Sequence, residues 1–348
     1  MYILRTPLVF FLAYGLTGVC TSLLLSVNPV ESLYWVGVFL SSLSVVWCAI
    51  ESERPREALR SIIVINYAVF VFIAVSLIPE AVRVFLGRES FSAYYKLFFG
   101  LGEITKNGAG RFGLVMLILC FVRYMTTSGR RRYLWFLGVG PAAFLVMMTQ
   151  SRTALLGFAV VAVLFVLLWG ADWRYLFLAP AGAFVLWTSG IKWRSQGSID
   201  RLLSLTGRET TWQKGWAQIE HSPFLGWGFN ADRLLLRYEH MHNAILQALI
   251  QTGIIGCLFF CLVFIWFWWE LIASGLIQKT KTLIGSEKAF VMESILIVAF
   301  MTARSFFEST AAFYGVDLLL LVPSMAYAIL TVREKAVGIN ESAEECAI

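Results

Sequence analysis

Residues 242–269 read HNAILQALIQTGIIGCLFFCLVFIWFWW, a run of 28 residues with no Asp, Glu, Lys or Arg. About 20 apolar residues in a helix, at 1.5 Å each, cover the hydrocarbon core of a bilayer, so this run is long enough to cross one. Inside lipid every backbone N–H and C=O must find a partner within the segment or a closed sheet. A strand of a membrane barrel would alternate in polarity over about ten residues, and this run does not alternate. It therefore reads as a membrane-spanning helix.

Working outward, runs of the same kind recur at about 8–27, 33–50, 61–79, 112–126, 133–149, 153–170, 172–189, 289–303 and 312–331, which with the first makes ten. Arg5 followed by apolar residues resembles a signal peptide, but no small-residue cleavage site leads into a soluble segment, so the first run is read as a span. Composition agrees. Of 348 residues, 59% are apolar and 14% charged, with mean hydropathy +0.74, where soluble proteins carry roughly a quarter charged residues. A large soluble domain and intrinsic disorder are both excluded. The expected fold is all-α: a polytopic helical membrane protein of about ten transmembrane helices, one integral-membrane domain over 1–348 with a large outer loop at 190–241 that carries short amphipathic helices.

Charge placement orients these spans. Counted from a cytoplasmic N-terminus, the inner loops hold Arg54, Arg56 and Arg60, then Arg123, Arg130, Arg131 and Arg132, then Arg174, then Lys279, Lys281 and Lys288, with Arg333 and Lys335 in the tail. The short outer turns hold only Arg152 and Arg304. Both termini are therefore expected in the cytoplasm. The net charge of +6 is explained by this bias and not by a nucleic-acid face, for which no soluble surface exists. Cys20, Cys48, Cys120, Cys257 and Cys261 lie in apolar runs and Cys346 near the end, without a CxxC pair, so neither a zinc site nor a disulfide framework is expected. Cys346 is followed by one residue too few for a prenylation box.

Two longer segments fall outside, at about 80–111 and 190–241. In the second, Thr206-Gly207-Arg208-Glu209 has the spacing of a capping box, and Trp212, Trp216 and Ile219 recur at i, i+4 and i+7, the pattern of a short amphipathic helix on the membrane surface. Ser222-Pro223 ends it, Gly226 and Gly228 mark a turn, and Arg233 to Arg237 suggests a second short helix leading to His242. All three histidines, His221, His240 and His242, fall in this segment or at its edge. An imidazole there can take a proton from a hydroxyl as a general base, or simply be a polar residue at headgroup level. Arg152 and Arg304 stand at outer mouths of spans and Arg208 caps the surface helix, each placed where a guanidinium fork could match phosphate oxygens. Their alternatives are snorkelling and, for Arg304, pairing with Glu308 or Asp317. Outer DxD, HExxH, GxSxG and Walker-lysine motifs are missing, so no metal and no cofactor is expected, and Asp200, Glu209, Glu220 and Glu239 are alternative bases.

The run Gly207-Arg208, Trp212, Ser222-Pro223-Phe224-Leu225-Gly226-Trp227-Gly228, His240-Met241-His242-Asn243, continued as HNxxLxxLxxxGxxG through Leu246, Leu249, Gly253 and Gly256, resembles the central region of the bacterial O-antigen ligase and polymerase superfamily. Ser151-Arg152-Thr153 before an apolar run is similar to its other recurrent element. The resemblance implies a GT-C-like membrane glycosyltransferase that uses an undecaprenyl-diphosphate-linked glycan on the periplasmic face of the bacterial inner membrane. Transfer would go to a growing glycan or to lipid A core, without a metal, with other polysaccharide-assembly proteins as candidate partners. By motif, Arg152 and Arg208 would hold the diphosphate and His242 would be the base, with His240 the alternative because HxHN leaves the choice open. Arg111 and Arg304 match by location only. Gly253 and Gly256 are expected to serve helix packing. The competing readings are a transporter or flippase for a lipid-linked or anionic solute, with Glu293 and Asp317 as its interior ionisable groups, and a noncatalytic scaffold whose outer arginines are individually dispensable.

Overall fold

The computed structural model describes residues 6–87, 94–97, 102–170, 208–312 and 315–345. These form twelve helices and one two-stranded hairpin: α1 (Leu8–Leu24), α2 (Pro29–Ile50), α3 (Pro55–Phe85), β1 (Tyr94–Lys96), β2 (Glu103–Thr105), α4 (Lys106–Thr126), α5 (Arg131–Thr149), α6 (Arg152–Trp169), α7 (Arg208–His221), α8 (Ala231–Leu235), α9 (Ala244–Ala273), α10 (Leu276–Thr282), α11 (Gly285–Ser305) and α12 (Val316–Glu345). Six of them, α2 to α6 and α9, are long and apolar enough to cross a membrane, and Leu8–Leu24 and Val316–Thr331 are shorter apolar helices. The chain is a polytopic helical membrane protein. A helix stands at nine of the ten expected spans; the tenth, 172–189, lies outside the described residues, as do Asp200, Thr206 and Gly207.

Helix ends follow capping chemistry more than the limits of apolar runs. Asn28 caps α2 by accepting from Glu31 N, ahead of Pro29, whose missing N–H costs nothing there. Thr105 caps α4 through Gly108 N, so this helix starts at Lys106, six residues before the apolar run expected from 112. At its other edge α3 runs through Pro79 to Phe85. The expected outer segment 80–111 is thus shortened from both sides, and its described remainder pairs Tyr95 with Ile104 in the antiparallel hairpin.

The chain divides into two compact units: 1–63, 204–276 and 305–348 form the first, 64–203 and 277–304 the second. In the first, α1 packs on α2 and α9, and α7, α8 and α12 also lie on α9. Tyr14, Phe39, Phe229 and Phe260 make a ring cluster with centroids 5.3 to 5.6 Å apart, the spacing favoured by edge-on aromatic pairs. In the second, α4 packs on α5 and α6. Gly110 admits Ser151 and Ala154 so closely that a Cβ would lie 2.9 Å from each of theirs. Gly157 of α6 meets Phe300 of α11, and Trp169 of α6 lies under Lys288 Nζ at 4.4 Å, so α6 and α11 run antiparallel. Glu293, wholly buried in α11, takes both arms of the Arg123 guanidinium.

A break in α9 ties the segment 223–228 to this helix within the first unit. Gly253 has φ 60° and ψ −165°, a conformation open essentially to glycine alone, and it interrupts the helical hydrogen bonds around it. The carbonyls freed at Ile250 and Gln251 accept from Trp227 N (2.9 Å) and Gly228 N (2.8 Å), while Ile254 N and Ile255 N donate to the carbonyls of Pro223 (2.8 Å) and Phe224 (3.4 Å). A kinked apolar helix needs such replacement partners. Gly226, at φ 68°, lies so close that a Cβ would stand 2.6 Å from backbone atoms of Gln251, Thr252 and Gly253. Gly253 is therefore not a helix-packing glycine; it admits the backbone of the loop. Gly256 faces Thr252 of its own helix.

Candidate active site around His242

The loop lock delivers the chain to α8 and then to a short segment bent by left-handed residues: Arg237, Tyr238 and His242 all have positive φ, at 54°, 67° and 47°. Non-glycine residues held there cost energy and cluster at functional sites. Both neighbours of His242 are pinned. Met241 is wholly buried and its carbonyl accepts from Trp212 Nε1 at 2.6 Å. Asn243 caps α9 through Ile245 N and Leu246 N, and its amide donates to the Phe306 carbonyl at 3.0 Å.

The His242 imidazole is thereby turned toward Glu308, with Nδ1 3.1 Å from Oε2. The other oxygen, Oε1, accepts from Arg208 Nη2 at 3.0 Å, and Arg208 Nη1 donates to the Phe307 carbonyl at 2.5 Å. Side-chain exposures are 16% for Arg208, 11% for Glu308 and 40% for His242, so the carboxylate is enclosed and the imidazole stays reachable. Ser309 Oγ donates to Gln247 Oε1 at 3.0 Å, which anchors the segment 306–309 to α9 a further time. Gln247 Nε2 donates to the wholly buried Asp232 at 2.8 Å. Gln251, with its amide oriented to satisfy its neighbours, extends this network to Tyr14 and the Ala312 carbonyl.

His240 stands beside His242, ring centroids 5.8 Å apart, but is held differently: its Nδ1 lies 3.1 Å from Arg233 Nη2. A guanidinium only donates, so this nitrogen accepts and the ring hydrogen sits on Nε2. Desolvation, and then the Arg233 charge, hold its pKa below the ordinary histidine value. His221 is not part of the group. It ends α7, and its Nδ1 is 2.6 Å from the Ala217 carbonyl one turn back. Among the alternative bases, Glu239 is engaged by Lys214 (2.8 Å) and Thr211 (3.0 Å), which hold its carboxyl below the usual range.

Arg111, Arg152 and Arg304 belong to the second unit. Arg152 is the exposed first residue of α6, after Ser151, which caps that helix through Ala154 N. Arg111, in the first turns of α4, lies over the Phe112 ring at 4.4 Å. The contacts of Gly110 with Ser151 and Ala154 put the starts of α4 and α6 side by side, and the antiparallel α11 brings Arg304 of its last turn to the same end. Two helix N-termini and three guanidinium groups stand at that end. The structure thus groups Arg208, His240 and His242 in one unit and Arg111, Arg152 and Arg304 in the other. Among the described residues no set of three His, Cys, Asp or Glu side chains is disposed to hold a metal ion.

Residues 137–261 match the family model described as O-antigen ligase. The O-antigen ligase match contains Arg152, Arg208, His240, His242 and both partners of the loop lock, and supports a membrane glycosyltransferase of the O-antigen ligase and polymerase type. Glu308 lies beyond it. No curated protein matches the chain. Glu308 is the residue that sequence reading passed over, being read as a partner of Arg304. The available signal was that it is the sole carboxylate between Glu293 and Asp317, within the polar turn SFFEST.

Proposed function

We propose that this protein transfers or polymerises undecaprenyl-diphosphate-linked glycan on the periplasmic face of the bacterial inner membrane, both termini lying in the cytoplasm. The acceptor is a glycan or lipid A core. The observation that carries this reading is that one enclosed carboxylate, Glu308, holds a guanidinium and an imidazole together. In glycosyl transfer from a diphosphate, an acceptor hydroxyl oxygen bonds to the anomeric carbon, the carbon–oxygen bond to the diphosphate breaks, and the hydroxyl proton needs a base.

His242 supplies the base. His240 does not, because its Nδ1 is occupied by Arg233 and its other nitrogen already carries hydrogen. Arg208 spends two of its donors on Phe307 and Glu308, which fix the guanidinium, and its other N–H groups serve the leaving diphosphate, whose growing charge a fixed guanidinium stabilises without a metal. The resemblance also assigns Arg152 to the diphosphate, with Arg111 and Arg304 as candidates by location in the sequence. The transporter reading loses its best-buried carboxylate, since Glu293 is committed to Arg123.

General base catalysis contributes roughly 10²- to 10⁴-fold, so His242→Ala should lower transfer from purified lipid-linked glycan by at least about 100-fold. A folded His242→Ala protein with full transfer activity refutes the assignment.

A further inference from the structure

Resting on the reading of His242 as the base, we propose that Glu308 is a positioning residue that sets the tautomer of His242, keeping hydrogen on Nδ1 so that the Nε2 lone pair faces the acceptor hydroxyl. The two oxygens of Glu308 are not equivalent. Oε1 meets Arg208 Nη2, and a guanidinium can only donate. Oε2 meets His242 Nδ1, and a carboxylate beside a guanidinium stays ionised and can only accept. The hydrogen between Oε2 and Nδ1 must therefore come from the ring. A neutral imidazole has one such hydrogen, which leaves Nε2 bare.

The surroundings hold this arrangement. The Met241 carbonyl is tied to Trp212, Asn243 caps α9 and grips the Phe306 carbonyl, and Ser309 is bound to Gln247. The ring and the carboxylate are thus each anchored on both sides. Among the described residues, Arg208 from α7 is paired with Glu308, and His240 on the incoming segment stands beside His242, with Arg233 and Asp232 of α8 acting on His240 in turn. His240, with its Nδ1 accepting from Arg233, shows the opposite tautomer in the same site. Two adjacent histidines are so held in complementary states, one offering a lone pair outward and the other an N–H.

The test exploits the inequivalence. In Glu308→Gln the amide oxygen must take the place facing Arg208, which puts the NH₂ group against Nδ1. That nitrogen then has to accept, and the ring hydrogen moves to Nε2, where it blocks proton uptake. Glutamine, nearly the same shape as glutamate, should therefore be worse than alanine. A catalytic histidine held in the wrong tautomer loses roughly 10⁴ in rate, whereas Glu308→Ala leaves the ring free to sample both tautomers and should lose about 10- to 100-fold. Glu308→Asp, which keeps the charge, should recover part of kcat. If Glu308 only fills space, the order is reversed and glutamine is the mildest change.

Because the chain has just three histidines, ¹⁵N-histidine labelling in nanodiscs reads each imidazole directly, with assignment from single His→Ala variants. Wild-type His242 should show hydrogen on Nδ1, and Glu308→Gln should invert it. Hydrogen on Nε2 in the wild-type ring, or a Glu308→Gln enzyme more active than Glu308→Ala, overturns the proposal. The NMR readout is independent of turnover. A His242→Ala enzyme that still transfers glycan, beside a wild-type ring carrying hydrogen on Nδ1, would remove the base assignment and leave the tautomer lock standing.

Discussion

Replacing Gly253 with alanine should unfasten the loop 223–228 from the broken helix α9. The backbone at Gly253, φ 60° and ψ −165°, costs a residue with a side chain about 1–3 kcal/mol. A methyl group there also overlaps the Phe224 carbonyl and the Leu225 amide, so the loop has to withdraw. The first bonds lost are those from Ile254 N to Pro223 and from Ile255 N to Phe224, at about 0.5–1.5 kcal/mol each. Together the loss is about 2–6 kcal/mol, which at roughly 2 °C per kcal/mol for a large chain lowers Tm by about 4–12 °C. Thermal unfolding of purified protein in detergent or nanodiscs measures it, with transfer activity recorded at a temperature where both proteins are folded. Because the same loop leads into α8 and the His242 segment, activity should fall along with Tm. Gly140→Ala is the control, since nothing lies within 4 Å of a Cβ built there and its helix tolerates alanine. A Gly253→Ala protein that melts within 2 °C of wild type would refute the backbone-to-backbone account of the kink.

Further outcomes concern the buried ion pair and the second histidine. Glu293→Ala strands the Arg123 guanidinium, 19% exposed, and should cost about 3–5 kcal/mol, while Arg123→Leu with Glu293→Leu should recover most of it. Melting curves of wild type and the two variants decide this, and a double variant as unstable as the single one would contradict it. For His240 the folded pKa lies below the unfolded one, so the unfolded chain binds more protons between the two. Its contribution to stability is complete above the unfolded value near 6.5 and is lost as pH falls toward the folded one. The drop in Tm from pH 7 to pH 5 should therefore be smaller in His240→Gln than in wild type. An identical drop in the two proteins removes His240 from the acid response.

Much of the helical layout was legible because bilayer thickness acts on local composition: a run such as 242–269 declares itself from about 20 residues, whatever packs around it. The limits of α3 and α4 were less legible, because a hydropathy window registers the apolar stretch and ignores the polar turns that Thr105 and its kind can cap. In the candidate site, the order of Arg208, His240 and His242 along the chain marked the region, yet nothing in HxHN separates two histidines. They are told apart by partners distant in sequence, Arg233 for one and Glu308 for the other.

The glycines divide in the same way. Their spacing in SPFLGWG and in the run from His242 to Gly256 was plain, and a packing role was the natural expectation. Only the tertiary structure brings the two runs together, so that carbonyls freed by the break at Gly253 meet the amides of Trp227 and Gly228. The sequence by itself determined that this chain lives in a membrane, because the cost of apolar surface in water is paid residue by residue. Which carboxylate meets which histidine was decided only by folding, because a hydrogen bond depends on the meeting of two groups that here stand 66 residues apart.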